Sequence, residues 1–562
     1  MSEMKTAPAL LEGPELEKDD GYRSILDVFE RACSQYADRP AFTCMGSTLS
    51  YQSMKDLVDR FAHWIVTQTS MAPGDRLGIV LPNLLQYPVA VFGALKAGLV
   101  IVNTNPLYTA DEMYHQFADA GVSGVVVFAH MAHKLEAVLK RLPIAHVVVT
   151  EVADLHPLPS RLKYNLGARY IARQVPRYHL PNAIPMRQVL KQKGRVDDSR
   201  WGRDDDLAIL QYTGGTTGTP KGAMLSHANL VANMRQTGEV LGSAVTRGQE
   251  TIIAPLPVYH IYTFTVNCMF GCETGSHSVL IPNPKDLDSF VKTLAQQPFS
   301  AFIGLNTLFA ALCRRADFQK LDFSHLKLSV SGGMALNTTT ANRWYEVTGS
   351  AVLEGYGMTE TSPVVCVNPP DRIQPGAIGR PVAGTRLKVL DDNDQPLGYD
   401  TPGELCVQGP QVMKGYWNLP EETAKTLFDD GWVRSGDIAV LQHDGFVRIV
   451  DRKKDMIVSS GFNVYPNEVE DVLLRHEDIH EAAVIGVSDE DSGESVVAFI
   501  VPRKGASLDA ATLKQWCRQE LTGYKVPRRF EFRDQLPRSS VGKVLRRVLR
   551  DELSDTARKD AS

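Results

Sequence analysis

The stretch YTGGTTGTPKG, Tyr212 to Gly222, sets four glycines, four threonines and a lysine into eleven residues. Glycine lets the backbone turn sharply and lets a ligand come close. Hydroxyls and free N–H groups donate to anionic oxygens, and Lys221 adds a positive charge, which together is phosphate-binding chemistry. A Walker A loop is excluded, because Lys221 follows Pro220 where G-x-x-x-x-G-K-[ST] requires glycine. A second group is LEGYGMTE, Leu353–Glu360. A tyrosine face there can stack on a purine, the Thr359 hydroxyl can donate to a phosphate, and the Glu360 carboxylate can hold Mg²⁺, which prefers oxygen ligands. A third is GWVRSGDIAV, where Asp437 in a glycine-flanked turn can accept two hydrogen bonds from a ribose diol, with Arg452 fifteen residues on. The fourth is LPRSSVGKVLRR, which places Lys543 after a glycine and before a basic helix. Each has a plain alternative when taken alone: a ligand-free turn, a capping pair, a turn aspartate, a solvated lysine.

Around these groups, short valine-rich strands alternate with helical stretches. Leu77–Leu81, Leu99–Val102, Gly121–Phe128 and Ala145–Thr150 read as strands, and Leu84–Lys96 as a buried helix. The pattern returns at Leu326–Val330, Asn337–Val347 and Ala351–Glu354, and predicts parallel α/β layers. Ala208–Gln211 is a strand leading into the glycine-rich loop, and Ser226 caps a helix from His227. After about Gly384 the texture becomes β-rich, with strands at Arg386–Leu390, Gly403–Gln408 and Gly445–Val450. Beyond Asp451–Lys454 an α+β unit follows. The expected organisation is a tail over 1–24, a large N-terminal unit over 25–450 with a β-rich part at 385–450, a boundary at 451–454, which the resemblance described below implies is the hinge of a mobile lid, and a small α+β unit over 455–562.

Bulk properties narrow the class. The chain has 562 residues and a net charge of −5, which argues against a general nucleic-acid binder. Eight cysteines with no C-x-x-C pair read as reduced thiols of a cytoplasmic protein. Residues 1–20 lack a basic-then-apolar signal layout, and no uninterrupted apolar run reaches membrane-spanning length.

Taken together, in this order and spacing, the motifs resemble the adenylate-forming superfamily, and within it YTGGTTGTPKGAMLSH, VNTNPLYTADEM and DRKKDMIVSSGFNVYPNEVED resemble bacterial long-chain fatty-acid–CoA ligases. The resemblance implies ATP-dependent conversion of a fatty acid to acyl-adenylate, then transfer to CoA, with Mg²⁺ as the metal. It implies that Thr213, Gly214, Gly215, Thr216, Thr217, Gly218 and Lys221 lie over the ATP phosphates, with Thr217 and Glu360 at the metal. Tyr356 is implied to stack on adenine, Glu354 and Gly355 beside it, while Gly332 and Gly333 line the adenine and acyl-carboxylate region. It further implies Thr359 at the α-phosphate, Asp437 and Arg452 on the ribose, Lys543 at the α-phosphate and substrate carboxylate, and His260 beside the carboxylate pocket. Lys454 falls on the hinge and Gly461 in the loop lining the thioester tunnel. Two departures stand out: Gly214 replaces a serine common in the superfamily, and Val458 replaces a lysine that some relatives use in the second step.

Gly271, Gly275 and Gly304, set among apolar residues, can open a slot between helices for a long acyl chain or serve ordinary core packing, and the long-chain preference is mainly what the resemblance implies. Residues 161–195 hold nine Lys/Arg and no acid, and Arg169, Arg173 and Arg177 would share a face on a helix, beside Tyr164, Leu166, Tyr170 and Ile171. This predicts a peripheral membrane contact, a solvated insert or a patch that attracts phosphate-rich substrates. Medium-chain or aryl-acid ligases, carrier-protein-loading ligases and a non-catalytic acyl-adenylate binder remain alternatives, and a homodimer stays open.

Overall fold

The computed structural model describes residues 8–16, 21–197, 200–213, 220–459, 462–489, 493–538 and 543–560. The chain divides into two compact units, one of Glu12–Arg386 and Val407–Val433, the other of Met1–Leu11, Leu387–Cys406 and Arg434–Ser562.

The larger unit is built on two sheets. In the first, Arg76–Val80 lies between the parallel strands Val100–Asn103 and Val122–Phe128, with His146–Thr150 beyond the latter. Leu207–Thr213 runs parallel to Val100–Asn103, and Lys221–Ser226 folds back antiparallel on it, Lys221 opposite Thr213. In the second sheet Thr251–Ala254, Ala301–Gly304, Leu328–Gly332 and Val352–Gly357 run parallel, so their carboxyl ends open on one edge. Ligands of open α/β sheets bind outside such carboxyl ends.

The apolar helix Gln86–Lys96 is buried on every side, as its uniform hydrophobicity requires. Its last residue carries a charge into the core. There Lys96 Nζ sits 2.5 Å from Asp59 and pairs with Glu30, because a buried charge persists only when it is paired. Ser226 caps the helix His227–Leu241 reciprocally with Asn229.

The glycines expected to open an acyl slot do something else. A Cβ on Gly275, at φ +67°, would lie 2.5 Å from the Tyr36 ring, and one on Gly304 would lie 2.8 Å from the Phe309 ring. Aromatic rings fill the space these glycines leave. Gly271 stands at ordinary contact distance from its neighbours.

The basic stretch is also arranged differently from its periodicity. The helix Leu158–Leu166 continues as the wider turn Gly167–Ile171 and stops, and Arg173 has φ +51°. Arg169, Arg173 and Arg177 therefore share no helical face; the helix ends ahead of Pro176, which disfavours its continuation. No helix among the described residues is long and apolar enough to cross a membrane.

The smaller unit holds a sheet that includes Val433–Leu441 and Val447–Arg452 as an antiparallel pair. Its second sheet pairs Ile479–Asp489 with Gly493–Pro502, which runs parallel to Arg529–Phe532 on its other side. Val469, Leu473, Leu513 and Cys517 of the helices Pro466–Leu474 and Ala510–Glu520 join the core beneath this sheet. Part of the stretch read as a tail is fastened here: Ala9 N–H donates to the Leu397 carbonyl at 2.8 Å and the Tyr399 hydroxyl to that of Leu10 at 3.1 Å.

Candidate active site

In the larger unit the hairpin brackets the glycine-rich loop. Thr213 ends one strand and Lys221 begins the next, both half-buried. Gly214, Gly215, Thr216, Thr217 and Gly218 lie outside the described residues, as does Gly461. The Lys221 ammonium reaches a residue the sequence reading missed: it stands 5.1 Å from the centre of the Tyr416 ring, within cation–π range. It also pairs with Glu422, whose carboxyl is held down at about 2 by its hydrogen bonds to Lys221 and Lys425. The Tyr416 hydroxyl in turn donates to Glu360 Oε1 at 2.7 Å. A lysine and a buried carboxylate 139 positions apart are thus joined through one ring. The backbone explains why: segment 414–417 zips against Lys221–Ser226, with Met224 N–H on Gly415 O and Trp417 N–H on Gly222 O. The only sequence signal for Tyr416 is the compact KGYW after an apolar strand.

Thr359 and Glu360 sit in a short turn, Thr359–Thr361, just past the strand Val352–Gly357. The strand does not end before Tyr356, as its glycines suggested; it runs through it, with Tyr356 opposite Cys366 of the antiparallel Val364–Val367. Gly357 permits the close approach, since a Cβ there would lie 1.9 Å from the Pro363 carbonyl oxygen. Glu354, on the same strand, accepts the Leu336 N–H at 3.1 Å and so fastens the loop after Gly332 and Gly333. Burial pushes its carboxyl up to about 7 against that hydrogen bond. Gly333 needs its freedom, at φ +81°. Gly332 faces the Tyr262 ring, 3.0 Å from where a Cβ would stand, and His260 caps the short helix carrying Tyr262 through a 3.4 Å bond from the Tyr262 N–H. Gly332, His260 and Tyr262 therefore form one corner at the carboxyl edge of the sheet.

The smaller unit gathers the remaining candidates. Asp437 lies within a strand, not a turn, and faces Arg452 in register across the antiparallel pair. Gly436, at φ +70°, supplied the turn signal, but pairing with Val447–Arg452 carries the chain through as strand. Arg452 Nε is 3.4 Å from Asp437 Oδ1. Lys543 belongs to this group: burial first, then the Arg452 charge, push its ammonium down to about 8, with Asp437 opposing and Lys454 adding to the fall. Lys454 is itself lowered by burial and by Arg452. Three cations around one aspartate form a strongly positive patch suited to phosphate and carboxylate groups.

Among the described residues no cluster of three or more His, Cys, Asp or Glu forms a metal cage. A single buried carboxylate fits Mg²⁺, which is commonly held by one or two carboxylates together with substrate phosphate oxygens. Glu360, a buried carboxylate with a hydroxyl fixing one oxygen, is the residue that would hold it.

Comparison with known proteins places the chain in a family. A model of the AMP-binding enzyme family matches residues 29–417, and one of the AMP-binding enzyme C-terminal domain matches 468–543. The long-chain-fatty-acid–CoA ligase of Escherichia coli O157:H7 is 47% identical over 535 residues, covering 95% of each chain, and that of Bacillus subtilis strain 168 is 35% identical over 94% of each. ATP-bound MatB from Rhodopseudomonas palustris superposes with a TM-score of 0.82 at 29% identity, covering 94% of this chain and 99% of that one. With a family model spanning more than half its length and relatives near half identity end to end, this chain belongs to the AMP-binding enzymes.

Proposed function

We infer that the chain is an acid–thiol ligase acting on long-chain fatty acids, with ATP and CoA as co-substrates and Mg²⁺ as its metal. The observation that carries this is the 47% identity, over 95% of both chains, to curated long-chain-fatty-acid–CoA ligases. In the first half-reaction a carboxylate oxygen bonds to the α-phosphorus of ATP, the bond to the β-phosphate bridge breaks and pyrophosphate leaves. Two anions must meet; at 4 Å, like unit charges repel by about 4 kcal/mol at an effective dielectric near 20. In this reading Lys543 offsets that repulsion where charge builds, Asp437 and Arg452 hold the ribose, Tyr356 stacks on adenine, and Thr359 donates to the α-phosphate. Mg²⁺, when bound at Glu360, neutralises charge on phosphate oxygens. Gly332, Gly333, Glu354, Gly355 and His260 shape the adenine and carboxylate corner, and Thr213 and Lys221 flank the phosphate loop. The grouping of Lys543 with Asp437, Arg452 and Lys454 supports these assignments. In the second half-reaction the CoA sulfur bonds to the acyl carbon, the acyl–oxygen bond breaks and AMP leaves. The reading includes a cytoplasmic protein in peripheral contact with a membrane through the 161–195 stretch, supported by its basic composition.

CoA-dependent AMP release, measured across acids of about two to eighteen carbons, tests the proposal; rates should climb with length, since each buried CH₂ contributes about 0.8 kcal/mol. A maximum on short or aryl acids would overturn the long-chain assignment, and no AMP from any acid would overturn the ligase.

A further inference from the structure

We propose that the helix Leu158–Leu166 and the turn Gly167–Ile171 form a docking surface for an anionic lipid bilayer. An amphipathic helix on a globular protein buries its apolar stripe. This one is docked the other way round. Its polar side faces the protein: Asn165 accepts from the Ala153 N–H at 2.9 Å and donates to Asp154 at 3.2 Å, and Arg169 donates to Glu151 at 2.6 Å. Its apolar side faces solvent, with Leu158, Leu162, Leu166, Tyr170 and Ile171 between 50% and 85% exposed. These five make up nearly half of the exposed large hydrophobic residues among those described, so the exposure is concentrated here, as at an interaction site.

Charge selects the occupant. Lys163 on the helix and Arg173 two residues past the turn are exposed, as is Arg177 further along the chain, with no ion-pair partner among the described residues, and the 161–195 stretch holds no acid to pair with them, on a chain whose net charge is −5. Two copies meeting at this surface would press like charges together. An anionic bilayer accepts the leucines between its headgroups and attracts the flanking cations, the arrangement of an interface-lying helix. The surface deepens the peripheral-contact reading above by giving it residues. It corrects the expected mode of contact as well: Arg169 is spent on Glu151, and insertion rests on the leucines, Tyr170 and Ile171 rather than on an arginine face.

Vesicle flotation of the full chain tests this independently of catalysis, using phosphatidylcholine alone and with about 30% phosphatidylglycerol. The protein is expected to float with the anionic vesicles, to bind the neutral ones at least about tenfold more weakly, and to be released by high salt. Leu162→Ser/Leu166→Ser/Ile171→Ser and, separately, Lys163→Glu/Arg173→Glu should each lower anionic-vesicle binding about tenfold or more. Both should keep full AMP release with a water-soluble short acid, which verifies that they fold. No binding to anionic vesicles, or binding unchanged in the triple serine variant, would overturn the proposal. So would a dimer that the triple variant dissociates in the absence of vesicle binding, which would assign the face to a second copy. Loss of binding alongside intact AMP release separates this proposal from the ligase reading.

Discussion

At the scale of single residues, the most informative group is Lys543. A lysine in water stays protonated to about pH 10. Burial and the neighbouring Arg452 bring this one down to about 8. The protonated form is the one that can offset meeting anions, so its benefit is present below that value and is lost as pH rises through it. The kcat/KM of the adenylation half-reaction, which reports the free enzyme, is expected to fall above about pH 8. Lys543→Arg should flatten that alkaline limb, because guanidinium stays charged. Lys543→Ala should lose about 10²–10³-fold in adenylation, as removal of a preorganised donor does, while thioester formation from supplied acyl-adenylate survives. Pyrophosphate exchange at graded pH checks the first, and equal loss of both half-reactions in the alanine variant would defeat the assignment. The residue types of this group were legible in the sequence. Their mutual effect was not, since Asp437, Arg452 and Lys543 are spread over more than a hundred positions.

At the scale of elements, the second sheet positions the corner at Tyr356 through contacts that only glycine allows. Gly357→Ala would set a Cβ against a carbonyl oxygen of the neighbouring backbone, which cannot swing aside as a side-chain end can. Thermal unfolding is expected to show a loss of about 2 kcal/mol or more, within the range of overpacking. An unchanged melting temperature would mean that the two strands separate at no cost. The sequence identified these strands well, and ran into trouble where glycine punctuates them. GYG and SGD carry turn signals, yet Tyr356 and Asp437 both lie in strands, because a paired neighbour supplies the hydrogen bonds that local preference would have sought in a turn. The acyl slot failed for the opposite reason: small residues signal space, and sequence alone cannot say which ring fills it.

At the scale of the whole molecule, the two half-reactions ask for different surroundings. In the proposed reading Lys543 stands beside the α-phosphate in the first, while the second needs a path for the pantetheine thiol. A rotation of the small C-terminal region about Lys454 would supply both in turn, a domain-rotation switch. In the structure the residues around Lys454 are tied within their own unit. Arg550 donates to Asp455 at 3.0 Å, Arg546 lies 3.5 Å from Asp455, and Asn467 N–H donates to the buried Asp451 at 2.7 Å. Lys454→Pro, which stiffens the backbone at that point, should impair thioester formation more than adenylation. Separate assays of the two half-reactions check this, and a selective loss of adenylation would contradict it.

By itself the sequence determined the α/β layers, the helix cap at Ser226 and the family, because these depend on short-range periodicity and on residue types at fixed spacing. Tertiary structure decided the rest. It joined Lys221 to Glu360 through Tyr416, set Asp437 opposite Arg452, filled the glycine slot with aromatic rings and turned the leucines of the 158–171 segment outward. Each of these depends on which distant surface a side chain meets, and burial and pairing energies between remote segments exceed the local preferences that a linear reading can weigh.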